Sequence, residues 1–341
     1  MPTGLIVSKL VTTVILLLSN VITMFLPNFV QLDEARFYKD MDSLTIFENT
    51  LDEPIPQTEI FQLVEAHFRA PLADGKTVKK ALIMGWDGSR CDGLANIDPQ
   101  NERSGVYKLL NNGGKAYIGY CGGVPYPAAN TQATSTAPGW ASILTGEWAD
   151  VHGITDNGII KTLDTLTIQT RLAQEGLVNK ATFFTLWSGH FNETNGTYAA
   201  EIQYCKENNL PVDFELIEDD GVDFNIQQRT LKEIRDPNGA DLIFSIFEIG
   251  DHTGHNYKFG NYNPFYRAAM QINDTHLYGL LKAVESRSTY DTEDWLIVVT
   301  NDHGGADYDH GGASIMERTT YIISNQEIDF LTACFNRSAF F

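Results

Sequence analysis

The chain is poor in cysteine, histidine and positive charge. Its 341 residues hold four cysteines, eight histidines, and 24 Lys plus Arg against 44 Asp plus Glu. Cys91, Cys121, Cys205 and Cys334 are too few and too scattered for a disulfide framework, and no Cys-x-x-Cys spacing occurs. A net charge of −20 leaves no basic footprint for nucleic acid. That acidity reads as a soluble surface, part of which bound divalent ions would offset. Internal repeats and low-complexity tracts are absent as well. The hydrophobic fraction of 43% is ordinary for a globular protein and excludes global disorder. The length suffices for one large α/β domain or two small ones.

One long apolar run is present. Residues 10–32 carry no charge, and 10–26 are strongly apolar. A membrane span needs about 20 such residues. Lys9 precedes the run, which fits an N-in orientation. The following Pro27-Asn28-Phe29-Val30-Gln31 is a poor signal-peptidase site. Residues 1–32 therefore read as an uncleaved signal anchor in preference to a cleaved signal. The rest of the chain would then lie outside the cytoplasm, membrane-anchored or secreted. There the sequons at Asn192, Asn195, Asn273 and Asn336 would be candidate glycan acceptors.

Residues 33–77 are polar and broken by Pro54 and Pro56, with one amphipathic helix expected over 58–68. They read as a stem leading to a domain over 78–341. Apolar runs predict strands over 80–86, 115–120, 180–186, 241–248 and 294–300, the last being the final clear core strand. Helices are expected over 102–111, 165–175, 198–207, 226–234 and 264–287. Strands alternating with helices imply a mostly parallel sheet covered on both faces, a three-layer sandwich.

Three aspartates stand just past strand ends: Asp87, Asp251 and Asp302. In open α/β sheets the ligand crevice lies on that edge, so carboxylates far apart in sequence can converge there. Histidines accompany them. Asp251 and His255 are four apart and share a face if the segment turns once. Asp302-His303-Gly304-Gly305 follows a strand directly, and His310 comes seven residues after His303. Mixed Asp/His ligation suits Zn²⁺, with Mn²⁺ or Fe as substitutes.

Residues 133–157 add a nucleophile. Thr134, Ser135 and Thr136 precede Pro138, whose place in a first helical turn reads as a helix start, and Gly146 closes the helix. A hydroxyl at the positive end of a helix is well placed to meet an anion. Thr136 has the Pro-Gly-Trp helix start at the right offset and Asn157 downstream.

This ordered set resembles the alkaline phosphatase superfamily, and within it the type I phosphodiesterase/nucleotide pyrophosphatase family, over residues 78–324. The resemblance rests on Met84-Gly-Trp-Asp87-Gly, Thr136-x-Pro-Gly-Trp-x-Ser-Ile-Leu-Thr-Gly146, His152-Gly-Ile-x-x-Asn157, Trp187-Ser-Gly189, Asp251-x-x-Gly-His255, and Asp302-His303-Gly with His310. It implies an alkaline phosphatase-like fold and two divalent ions. One ion would be held by Asp251, His255 and His310. The other would be held by Asp87, Asp302, His303 and the Thr136 oxygen. It further implies attack by Thr136, a phospho-threonine intermediate, and a phosphate contact from the Asn157 amide.

Two departures matter. The family's nucleotide pyrophosphatases commonly carry an aromatic after the nucleophile, and this chain has Ala137. Trp140, Trp187, Phe183 and Phe184 are the aromatics available to rebuild an apolar wall, with core packing the expected job of the two Phe. The gap from His303 to His310 is also short, so any cap would come from 188–240. The expected activity is hydrolysis of a small phosphate ester, a diester by preference. The alternatives are phosphotransfer or phosphomonoester hydrolysis at the same centre, or a catalytically dead binding glycoprotein. A sulfatase would need Cys/Ser-x-Pro-x-Arg, which is absent.

Overall fold

A computed structural model describes residues 31–126 and 131–328. The expected anchor over 1–32 lies almost wholly outside them, as do Cys334 and Asn336. Among the described residues no helix is long and apolar enough to cross a membrane.

Eight strands form one sheet among the described residues: β1 Ile55–Pro56, β2 Val78–Trp86, β3 Lys115–Tyr120, β4 Ala181–Thr185, β5 Val212–Leu216, β6 Leu242–Phe247, β7 Glu293–Thr300 and β8 Thr319–Ser324. Their order is β1-β3-β8-β7-β2-β6-β4-β5. β8 runs antiparallel to β3 and β7, and every other pairing is parallel. The mostly parallel α/β sheet expected from sequence is therefore present.

The central strands are apolar because both faces are covered. In β2, Leu82, Met84 and Trp86 join one core, with Met270, Leu277 and Leu280 of the helix Pro264–Glu285. Ala81 and Ile83 point the other way, to Trp140, Ile143 and Leu144 of the helix Thr136–Thr145. This period of two splits one strand between two layers of helix. Gly85 lets those layers close. A Cβ there would stand 2.4 Å from the Trp140 ring.

Two regions differ from expectation. The region read as a stem packs into the molecule: helical residues 31–43 contribute Phe37 and Met41 to the first core. The helix Glu59–Arg69 buries Ile60, Phe61, Val64, His67 and Phe68, and β1 extends the sheet beside β3. Residues 188–240, the expected source of any cap, supply β5 beside β4 and the helix Phe224–Arg235, whose Ile226, Leu231 and Ile234 are buried in the first core. Cys91, Cys121 and Cys205 are buried free thiols.

Candidate active site

β7, β2 and β6 are neighbours at the middle of the sheet, and all three run the same way. Their carboxyl ends therefore lie side by side, and each carries one aspartate past its end. Asp87 follows β2 directly, and its N–H extends the ladder to Phe247 O at 2.8 Å. Asp302 is two residues beyond β7. Asp251 stands in the first turn of the helix Ile249–Tyr257, with His255 one turn on.

The histidines arrive pre-oriented. Nδ1 of His255 meets Tyr308 O at 2.8 Å, Nδ1 of His310 meets Thr134 O at 3.1 Å, and Nδ1 of His303 meets Gly304 O at 2.7 Å. A carbonyl only accepts, so each Nδ1 donates and each Nε2 faces inward. His255 Nε2 lies 3.4 Å from Asp251 Oδ2, and His310 Nε2 lies 3.6 Å from Asp251 Oδ1. His303 Nε2 lies 3.6 Å from Asp87 Oδ1 and 3.3 Å from Asp302 Oδ2.

Two donor groups result. Asp251, His255 and His310 form one; Asp87, Asp251 and His303 form the other, and within each the donor atoms lie within 4.8 Å of one another. Asp251 belongs to both, whereas the sequence reading gave it to the first group alone. Asp302 adjoins the second through His303, and its other oxygen accepts from Gly88 N at 3.2 Å.

The electrostatics suit a cation. Burial, then the charges of Asp302 and Asp251, push Asp87 well above the usual carboxylate range. Burial and Asp251 do the same to Asp302. Burial also lowers His303 to about 3, which keeps its imidazole neutral. Burial works against an ionised Asp251, but the His255 bond and the electrostatic influence of the His303 and His310 imidazoles hold it below its ordinary value. Asp251 Oδ1, Asp302 Oδ2 and His303 Nε2 are all buried without a hydrogen-bond partner. Orphaned acceptors converging among repelling carboxylates are costly unless a cation lies between them. The residues therefore fit divalent metal ions, and the O/N donor set suits Zn²⁺, Mn²⁺ or Fe.

The three hydroxyls before Pro138 separate clearly. Thr134 Oγ1 accepts from Gly311 N and donates to Gly312 O, tying down the His310 loop. Ser135 is the N-cap residue, in extended conformation. Thr136 opens the helix, and its Oγ1 donates to Asp87 Oδ1 at 3.4 Å. Asn157 is exposed, and its Oδ1 accepts from Ala137 N at 2.8 Å at the start of that helix. The structure thus gathers all eight residues named from sequence on one edge of the sheet.

Trp140, expected from sequence as an aromatic for an apolar wall, instead contacts a candidate ligand. Its Nε1 donates to Asp87 Oδ2 at 2.8 Å, leaving Oδ1 toward Thr136 and His303. The signal was its place one helical turn after Thr136. Of the four wall candidates, Trp140, Phe183 and Phe184 are buried core residues. Only Trp187 is partly exposed, and it packs against the small cluster of Ala137, Ala141 and Ile154.

Fold and site together define a class: α/β sandwiches that collect carboxylates and imidazoles at the carboxyl edge of a parallel sheet. Residues 83–329 match the family model described as Type I phosphodiesterase / nucleotide pyrophosphatase. The chain belongs to that family. Among solved structures it is similar to murine ectonucleotide pyrophosphatase/phosphodiesterase 5, with 18% identity and a TM-score of 0.45. That match covers 66% of this chain and 57% of the murine chain, so it spans less than two thirds of that relative's length. It is also similar to alkaline phosphatase from the Antarctic bacterium TAB5, with 14% identity and a TM-score of 0.45, covering 73% of this chain and 91% of that one. No curated protein matches the chain.

Proposed function

We propose that this chain is a metal-dependent phosphodiesterase that works through Thr136. The observation that carries the reading is Thr136 Oγ1 at 3.4 Å from Asp87 Oδ1, beside two donor groups that share Asp251. Asp251, His255 and His310 would hold one ion, and Asp87, Asp302 and His303, with Asp251 near, the other; Zn²⁺ is the expected identity. Bound there, a pair of ions supplies charge neutralisation and Lewis acidity for an in-line displacement at phosphorus.

The chain's own residues do the rest. Trp140 fixes one oxygen of Asp87, so the other stays aimed at the Thr136 proton. Loss of that proton makes Oγ1 the nucleophile. Attack on a diester forms an Oγ1–P bond and breaks the bond from phosphorus to one ester oxygen, which leaves as an alcohol carrying the proton given up by Thr136, so the phosphoryl group on Thr136 keeps its second ester. Water then breaks the Oγ1–P bond, restores the hydroxyl and releases a phosphomonoester. Asn157, held by Ala137 N, presents its Nδ2 to a non-bridging phosphate oxygen. A neutral amide suits the single charge of a diester, where a monoester would benefit more from a guanidinium fork. The domain is proposed to act outside the cytoplasm, on the terms set by residues 1–32.

The test is a substrate panel on purified protein: nitrophenyl phosphodiester, phosphomonoester and sulfate, each with and without added Zn²⁺. The expected result is metal-dependent diester hydrolysis faster than monoester hydrolysis. A sulfate preference, or no diester turnover with metal present, would overturn the reading.

A further inference from the structure

Arg90 stands three residues past Asp87, and none of the chemistry above uses it. Its side chain is fully buried. Nε and Nη2 donate to the two oxygens of Asp92 at 2.9 and 2.8 Å. Nη1 donates to Asp33 Oδ2 at 2.9 Å and to Gly305 O at 3.4 Å. The backbone N–H of Arg90 donates to the Tyr266 hydroxyl at 2.8 Å, which in turn donates to Gly88 O at 2.8 Å. Phe37 covers the guanidinium, its ring centroid 5.8 Å away. A Cβ on Gly260 would come within 2.9 Å of Nη1, so the pocket is closed on that side too.

These contacts connect three segments. One is the loop after β2 that presents Asp87. The second is the loop after β7, where Gly305 follows Asp302 and His303. The third is the helix over 31–43, source of Asp33 and Phe37. Both site loops are soft on their own: Gly88 has φ of +61°, and Gly304-Gly305 follows His303. A buried guanidinium needs paired charge, and its rigid fork holds partners at fixed angles.

We propose that Arg90 is a positioning residue for both ligand-bearing loops. Asp33, on the helix over 31–43, is a second counter-charge beside Asp92 and the one that ties Arg90 to that helix. That helix is then a working part of the site rather than a tether. The proposal rests on the metal-centre reading given above.

The test uses the full-length chain. Zn²⁺ isotherms on metal-stripped protein are measured alongside kcat, KM and Tm. Asp33→Asn removes the charge at nearly constant shape. Arg90→Lys keeps a charge but loses the fork, and serves if the first variant does not fold. Met41→Ala is the structural control, since Met41 is buried on the same helix and lies outside the Arg90 network. Each of the first two is expected to weaken Zn²⁺ binding about tenfold, the lower end for outer-shell partners, and to lower kcat with KM unchanged. Met41→Ala is expected to lower Tm without moving the isotherm. Wild-type isotherms and kcat in Asp33→Asn would overturn the proposal. So would a Met41→Ala loss of Zn²⁺ affinity equal to that of Asp33→Asn. Wild-type protein that binds no Zn²⁺ would overturn the metal reading and the proposal with it, a result separate from any difference between variants.

Discussion

Asp87 is the residue on which the nucleophile, an imidazole and an indole converge. One of its oxygens meets the Thr136 hydroxyl and His303, and the other is taken by the Trp140 indole. Trp140→Phe keeps an aromatic in the core and removes that donor. Metal affinity is expected to fall roughly 10- to 100-fold, as for other outer-shell partners, and isotherms on stripped protein read it. Unchanged affinity would mean that Trp140 only packs. A second residue tests the electrostatics away from the site. Burial raises Asp274 to about 6, against bonds from Val106 N and Ser104 Oγ that favour the charged form. The ordinary value is 3.8, so the folded chain binds more protons than the unfolded chain between the two values. Stability contributed by this group is thus lost as pH rises from about 4 through about 6, and the penalty is complete at pH 7. Asp274→Asn removes it. Urea unfolding should find the variant more stable at pH 7 by up to about 3 kcal/mol, with the gap closing toward pH 4. A gap that did not vary with pH would contradict this assignment.

At the scale of elements, legibility followed the local signal. β2, β3, β4, β6 and β7 announce themselves as short apolar runs, and the acid after each of three strands marks the functional edge. β8 was missed because Thr319-Thr-Tyr-Ile-Ile-Ser has only three apolar residues in a row and runs against its neighbours. β1 is two residues long and exists only through its pairing with β3. The proposed ligands were legible because three strand-end aspartates stand out and each histidine lies within eight residues of one of them. Trp140 and Arg90 were not, because Asp87 and Asp33 lie 53 and 57 residues away from them in sequence. Element context also sorts the sequons. Asn192 and Asn195 are exposed in the turn after the helix Ser188–Phe191. Asn273 is fully buried within the helix Pro264–Glu285, so a glycan there is incompatible with the fold. Expression through a eukaryotic secretory pathway should place glycans at Asn192 or Asn195 and never at Asn273, as peptide mapping after glycosidase treatment would read. A glycan on Asn273 would contradict the packing of that helix.

At the scale of the whole molecule, residues that composition marks as a linker belong to the core. Residues 33–77 look like a linker by their polarity, yet Phe37, Met41 and the helix Glu59–Arg69 are packed into the two cores. The apolar positions were visible; their partners, scattered from Gly146 to the β2 strand, were not. The Asp33–Arg90 pair carries that integration to the site itself. The acidity of the chain likewise has a local counterpart, since three aspartates meet at one edge, where the proposed function places cations. Everything rests on Thr136 as the group that takes the phosphoryl moiety. The direct measurement is rapid acid quench of the metal-loaded protein with a nitrophenyl phosphodiester, followed by peptide mass spectrometry. The expected result is a covalent phosphoester adduct on Thr136, absent from Thr136→Ala, which also loses turnover by at least about a thousandfold, as for other nucleophile deletions. An adduct on another residue, or full turnover by Thr136→Ala, would contradict it.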